Sequence, residues 1–176
     1  QVTKAFRDNW KTTSFQASQH PEHFHQQSQR GGTLQVLTEQ WVSRLQTKGI
    51  DPYGLGRWSY MTLGGKGNKK VVIISAYRVC NTTLNSSGDC TAYMQQFRSI
   101  LAYNNDHNIS STPNPHRQFV IDLQAWIEML QSEGASIILA LDANEDILSN
   151  TPTYHPLEYK DGNFIQAPQH NGHLAT

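Results

Sequence analysis

Apolar positions along the chain form a few clear periods separated by turn chemistry. Gly31-Gly32 marks a turn, and Thr33 to Thr38 then reads as a strand with Leu34, Val36 and Leu37 apolar. Glu39 to Lys48 fits either a continuation of that strand or a helical turn. Asp51-Pro52-Tyr53-Gly54 is turn chemistry, with Pro after Asp and Gly closing it. Residues 57–63 alternate, which places Trp58 and Tyr60 on one face of a strand. Gly64-Gly65-Lys66-Gly67-Asn68 reads as a hairpin turn. Residues 70–77 follow as a short β-branched run, the pattern of a strand buried on both faces.

Two amphipathic helices come next. Residues 91–103 place Tyr93, Phe97, Ile100 and Leu101 on one stripe, and residues 118–131 do the same with Phe119, Leu123, Trp126, Ile127 and Leu130. A Pro/Asn/Ser-rich loop, 104–116, joins them, and Glu133-Gly134 ends the second. Residues 136–142 are another buried strand with Asp142 where the apolar run stops. After Ile147 the periodicity fades, and Pro152, Pro156 and Pro168 predict irregular structure. The order is strand, strand, strand, helix, helix, strand: a hairpin feeding a long crossover back to the sheet. That is a mixed-sheet α/β or α+β layer. The expected organisation is a polar arm or loop over 1–30, a core over 31–147 and an irregular continuation of the same domain over 148–176.

Composition narrows the function classes. The chain has 176 residues, one domain's worth, of which 37% are hydrophobic and 16% charged. Fourteen basic and fourteen acidic residues cancel, so global charge gives no footprint for non-specific nucleic-acid or membrane binding. The longest apolar run, Val71-Val72-Ile73-Ile74, is far too short to span a bilayer. With no signal peptide visible, the expected location is intracellular, nuclear or cytoplasmic rather than secreted. Cys80 and Cys90 flank a polar loop. They read as free thiols in a reducing compartment, and a bridge would need an oxidising one. The stretch His20-Pro21-Glu22-His23-Phe24-His25 has no periodic scaffold to hold a metal geometry and reads as polar loop. The chain starts at Gln1 and stops at Thr176 in a polar stretch, and is expected to be a piece of a longer one.

The strongest chemical feature is Ile137-Ile138-Leu139-Ala140-Leu141-Asp142-Ala143-Asn144-Glu145. A buried strand delivers a carboxylate to its carboxyl end, where open sheets place ligands. In extended chain Asp142 and Asn144 point the same way, and a carboxylate beside an amide suits a hard cation and a phosphate oxygen. The bland alternative makes Asp142 a cap and its neighbours a solvated loop. A second strand ends in Ser75-Ala76-Tyr77-Arg78, offering a phenol and a guanidinium to a phosphate; alone it equally reads as a core-edge Tyr and a solvated Arg. Nucleotide-binding loops are not supported. Gly64-Gly65-Lys66-Gly67-Asn68-Lys69 lacks phosphate-loop spacing, Gly54-Leu55-Gly56 lacks the third glycine of a dinucleotide fingerprint, and no serine-hydrolase elbow occurs.

Together, the strand ending Ser-Ala-Tyr-Arg, the amphipathic helices and the strand ending Leu-Asp-Ala-Asn-Glu resemble the endonuclease/exonuclease/phosphatase superfamily, the deoxyribonuclease I-like fold. Gly31-Gly32-Thr33, Gly54-Leu55-Gly56-Arg57-Trp58 and Asp142-Ala143-Asn144-Glu145 look like members carried by retroelement-type polyproteins. The resemblance implies an α+β, layered α/β/β/α sandwich, incomplete here at both ends. It implies Mg²⁺ or Mn²⁺ as cofactor, nucleic acid (DNA favoured) as substrate, and a reverse transcriptase region of the same polyprotein as partner. It maps catalytic roles to Tyr77, Asp142 and Asn144, phosphate binding to Arg78, and metal binding to Asp142 and Glu145. Leu141 stands where the family motif usually has Gly. The family's early Glu strand and late Asp-His pair have no counterpart, and His170 and His173 lack a preceding apolar strand. The expected activity is therefore that of a metal-dependent phosphodiester hydrolase that is inactive as given. A non-catalytic nucleic-acid-binding or scaffold remnant, and a phosphomonoesterase on a small substrate, share these motifs.

Overall fold

The computed structural model describes residues 2–20, 31–80 and 91–144. In chain order it contains α1 (Val2–Asn9), β1 (Thr13–Ser18), β2 (Thr33–Thr38), a 3₁₀ turn (Glu39–Arg44), β3 (Leu45–Ile50), β4 (Trp58–Gly64), β5 (Lys70–Tyr77), α2 (Ala92–Asp106), α3 (Pro115–Ser132) and β6 (Ala135–Asp142). The architecture is mixed α/β with two sheets. One is the antiparallel pair β1–β2; the other has four strands in the order β3-β4-β5-β6, antiparallel except for the parallel pair β5–β6. That parallel pair requires a crossover, which α2 and α3 supply.

The core explains the layering. Trp58, Val72, Ile74 and Ala76 point to one face of the larger sheet and pack on Phe119, Leu123 and Ile127 of α3. Trp126 stacks on Trp58 and tilts over Tyr60, so both aromatics of β4 share that face, as their spacing predicts. The helices are capped by their own sequence: Thr91 accepts from the Met94 N–H, and Asn114 accepts from the Arg117 N–H with Pro115 at the first helical position.

β2 lies against the opposite face. Thr33 Oγ1 donates to Ser59 Oγ at 2.8 Å, and Gln35 Nε2 donates to the Ser59 carbonyl at 2.7 Å. The second layer leaves the same face of β6 open, where Ile138 is 54% exposed.

The expected strands over 33–38, 57–63, 70–77 and 136–142 and both helices are present, with ends shifted by a few residues. Residues 39–48 are a 3₁₀ turn and then the start of β3, which belongs to the other sheet, so the helical-turn reading holds for 39–44 and the strand does not continue β2. Residues 1–30 depart from the expectation of an arm or loop, because α1 and β1 form within them. β1 is polar because main-chain pairing with β2, not an apolar face, defines it; Phe15 alone meets Phe6 of α1 edge-on. The stretches 21–30, 81–90 with Cys90, and 145–176 lie outside the described residues. No helix among the described residues is long and apolar enough to cross a membrane.

Candidate active site

β5 and β6 run parallel in a register that places Tyr77 opposite Asp142. Both strands therefore end side by side at the carboxyl edge of the sheet, where the last side chains leave the ladder and face open space. An open cleft of about 420 Å³ lies there, lined by Gly32, Thr33, Ser75, Tyr77, Ala140 and Asp142 among others. Asp142 is exposed and Tyr77 half-buried.

Asn144 is held by three features. Its backbone is left-handed, φ 49°, a conformation Asn tolerates better than most residues. Its N–H donates to Asp142 Oδ1 at 3.2 Å, closing an Asx-type turn. Its side-chain Nδ2 donates to the Arg78 carbonyl at 2.6 Å, across to the end of the neighbouring strand. Sequence reasoning expected Asp142 and Asn144 to share a side of extended chain; a turn brings them together instead.

Tyr77 is wedged against the turn before β2. A side chain at Gly31 would start 2.9 Å from Tyr77 Cε1, and Gly31 has φ 74° as well, so glycine is required there. Burial pushes the Tyr77 phenol above its ordinary value, and the neighbouring acids Cys80 and Asp142 push the same way. The Asn144 side chain acts against them. At neutral pH the phenol keeps its proton and can donate a hydrogen bond.

The resemblance implies phosphate binding for Arg78, but successive strand-end residues alternate faces, and Tyr77 already takes the cleft side. Arg78 is 3% exposed, and its Nε donates to the His116 carbonyl of α3 at 3.0 Å. Of the expected site residues, Tyr77, Asp142 and Asn144 come together, Arg78 faces the helix layer, and Glu145 lies outside the described residues.

A second charged centre went unread in the sequence. Arg57 Nε lies 2.6 Å from Asp51 Oδ2 and Nη2 3.1 Å from Oδ1, while Nη1 lies 2.6 Å from Asp122 Oδ2. The Tyr53 N–H donates to Asp51 Oδ1, and Gln118 Nε2 donates to Asp122 Oδ1 at 2.8 Å. The guanidinium also sits 4.6 Å from the Trp58 ring centroid. Asp51 reads as a turn residue in sequence, and its partner Asp122 sits on a helix far along the chain. The only local signal is Asp51 followed by Gly54-Leu55-Gly56-Arg57. The network touches the cleft through the main chain, since the Tyr77 N–H donates to the Arg57 carbonyl at 2.8 Å.

No family model, no curated protein and no solved structure matches the chain.

Proposed function

We propose that the cleft belongs to a divalent-metal-dependent phosphodiester hydrolase acting on nucleic acid, DNA in preference to RNA. Its framework would be the layered α/β/β/α sandwich of the deoxyribonuclease I-like type. The observation that carries the reading is the meeting of Tyr77, Asp142 and Asn144 at the ends of two adjacent parallel strands. A phenol and a carboxylate on one open cleft, with an amide residue bonded to both, are groups that phosphoryl hydrolysis uses to hold an anion and direct a water molecule.

Each residue has a role in this reading. Asp142 spends one oxygen on the Asn144 N–H and keeps the other to orient or deprotonate the attacking water. Tyr77 donates to a non-bridging phosphoryl oxygen as negative charge develops there. Asn144 commits one amide proton to the Arg78 carbonyl, and its side chain also bonds the Tyr77 hydroxyl, so its role is to set that phenol toward the phosphoryl group.

A hydrated Mg²⁺ or Mn²⁺ leans on one or two carboxylates, with water and substrate phosphate completing the shell. Asp142 fits one of those positions. Among the described residues there is no group of three or more His, Cys, Asp and Glu side chains that could hold a metal ion, so Asp142 is the ligand the described cleft supplies. When bound, such an ion would neutralise charge on the scissile phosphate. In a retroelement-type polyprotein, a reverse transcriptase region would share the chain.

Plasmid relaxation with Mg²⁺ or Mn²⁺ tests the reading. The samples are the 176-residue chain, its Asp142→Ala variant and a version lengthened at both ends. The expected result is nicking by the lengthened version, lost on Asp142→Ala, and little by the chain as given. An inactive lengthened version that still binds DNA would replace the hydrolase with a nucleic-acid-binding scaffold.

A further inference from the structure

Arg78 is buried, charged and one residue from the cleft, yet its side chain turns away from it. Its main chain does the opposite and meets both Asp142, which closes β6, and Asn144 just beyond it. The Arg78 N–H donates to the Asp142 carbonyl at 2.9 Å, and the Arg78 carbonyl accepts from Asn144 Nδ2 at 2.6 Å. A carbonyl oxygen can only accept, so this contact also fixes which end of the Asn144 amide faces Arg78. The side chain secures that segment: Nε donates to the His116 carbonyl at 3.0 Å in the first turn of α3, with the guanidinium out of solvent. Next to it Val79 is buried as well, so the segment after β5 is packed rather than loose.

We propose that Arg78 is a positioning residue: its guanidinium, tied to the start of α3, holds the main chain against which Asp142 and Asn144 are set. The role rests on the phosphodiesterase reading of the cleft for its meaning, but its geometry does not. Arg78 contacts no substrate; it acts through the orientation of Asn144. Removing the side chain leaves the carbonyl in place but frees it to drift, so the Asn144 amide loses its fixed partner. A phosphate-binding arginine would behave differently, because each phosphate contact adds to the salt dependence of nucleic-acid binding.

Two measurements on the 176-residue chain separate these roles, using Arg78→Met and Arg78→Lys. The first is hydrogen exchange at the Asn144 side-chain amide, read by ¹H–¹⁵N NMR. The expectation is exchange about tenfold faster in Arg78→Met, the loss of roughly one hydrogen bond. Arg78→Lys, which keeps a donor, should recover part of the protection. The second is the affinity for a fluorescein-labelled DNA duplex at several salt concentrations, where the slope should stay unchanged in both variants. An unmoved Asn144 amide together with a slope reduced by about 0.9 would overturn the proposal in favour of a direct phosphate contact. If Arg78→Met does not fold, Arg78→Lys carries both readouts. If the unaltered chain binds no duplex, the salt titration is made on the lengthened version, where failure to bind sinks the phosphodiesterase reading by itself, and the exchange measurement still decides the positioning role.

Discussion

Asp51 and Asp142 each stand where a strand ends, one just after β3 and the other closing β6. Asp51 is sealed: both of its oxygens are engaged by Arg57, a main-chain N–H caps one of them, and the residue is 1% exposed. Asp142 is open: one oxygen takes a 3.2 Å bond from Asn144, and the residue faces a cleft. Desolvating a carboxylate is expensive unless it is fully paired, so the first arrangement only works complete. The second keeps unspent hydrogen-bonding capacity beside a protonated phenol. The same residue type therefore serves as a rivet in one region and as a candidate reacting group in the other. What separates them is how many of the oxygen lone pairs the fold has already used.

The largest effect expected from breaking this comparison is on chemistry. Asp142→Ala should lower nicking by the lengthened version about 10²–10⁴-fold. Its effect on stability should stay within about 0.5 kcal/mol, since the residue is exposed. Parallel nicking assays and urea titrations measure both, and a large stability loss would make Asp142 another rivet.

Arg57→Ala should do the reverse. It strands Asp51 and Asp122 in the interior, and removing one partner of a buried pair costs about 3–5 kcal/mol. Urea unfolding reads this directly. A loss below about 1 kcal/mol, the scale of an exposed pair, would show that water reaches the network and that the contrast with the cleft is one of degree.

Two glycines next to Arg57 sharpen the point at a smaller scale. Gly54 and Gly56 both have φ 71°, but a side chain at Gly54 meets nothing, whereas one at Gly56 would overlap the backbone of Gln19 and His20. Gly54→Ala should cost about 1 kcal/mol for the left-handed backbone alone. Gly56→Ala should cost about 2 kcal/mol or more, because strained conformation and overlap add. Equal losses in thermal or urea unfolding would mean that the 19–20 segment yields easily.

The smallest effect concerns pH. Burial raises the phenols of Tyr77 and Tyr93 above their ordinary value of 10.0. The native state then holds protons that the unfolded chain releases. Stability from this source is whole below about pH 10 and falls as pH rises through the raised values. Tyr77→Phe should flatten the decline in urea midpoint above about pH 10. An unchanged slope would place the Tyr77 hydroxyl in water and loosen its link to Asn144 and Asp142.

The sequence by itself determined the elements whose side chains carry a period. β5 and β6 are legible because both are short, β-branched apolar runs, although β6 leaves the face that carries Ile138 exposed, and α3 because its stripe of Phe119, Leu123 and Ile127 must find a core. Tyr77, Asp142 and Asn144 were legible for the same reason, since each follows directly from where a buried strand stops. Polar edge strands were not. β1 and β3 are defined by main-chain bonds to β2 and β4, which leave no mark on side-chain spacing. Tertiary structure alone decided the direction of Arg78 and the partnership of Arg57 with Asp122. Strand-end parity fixed the one, and the packing of α3 on the sheet fixed the other. A charge reads the same in a sequence whether it faces solvent or an opposite charge, and only the fold determines which of the two it meets.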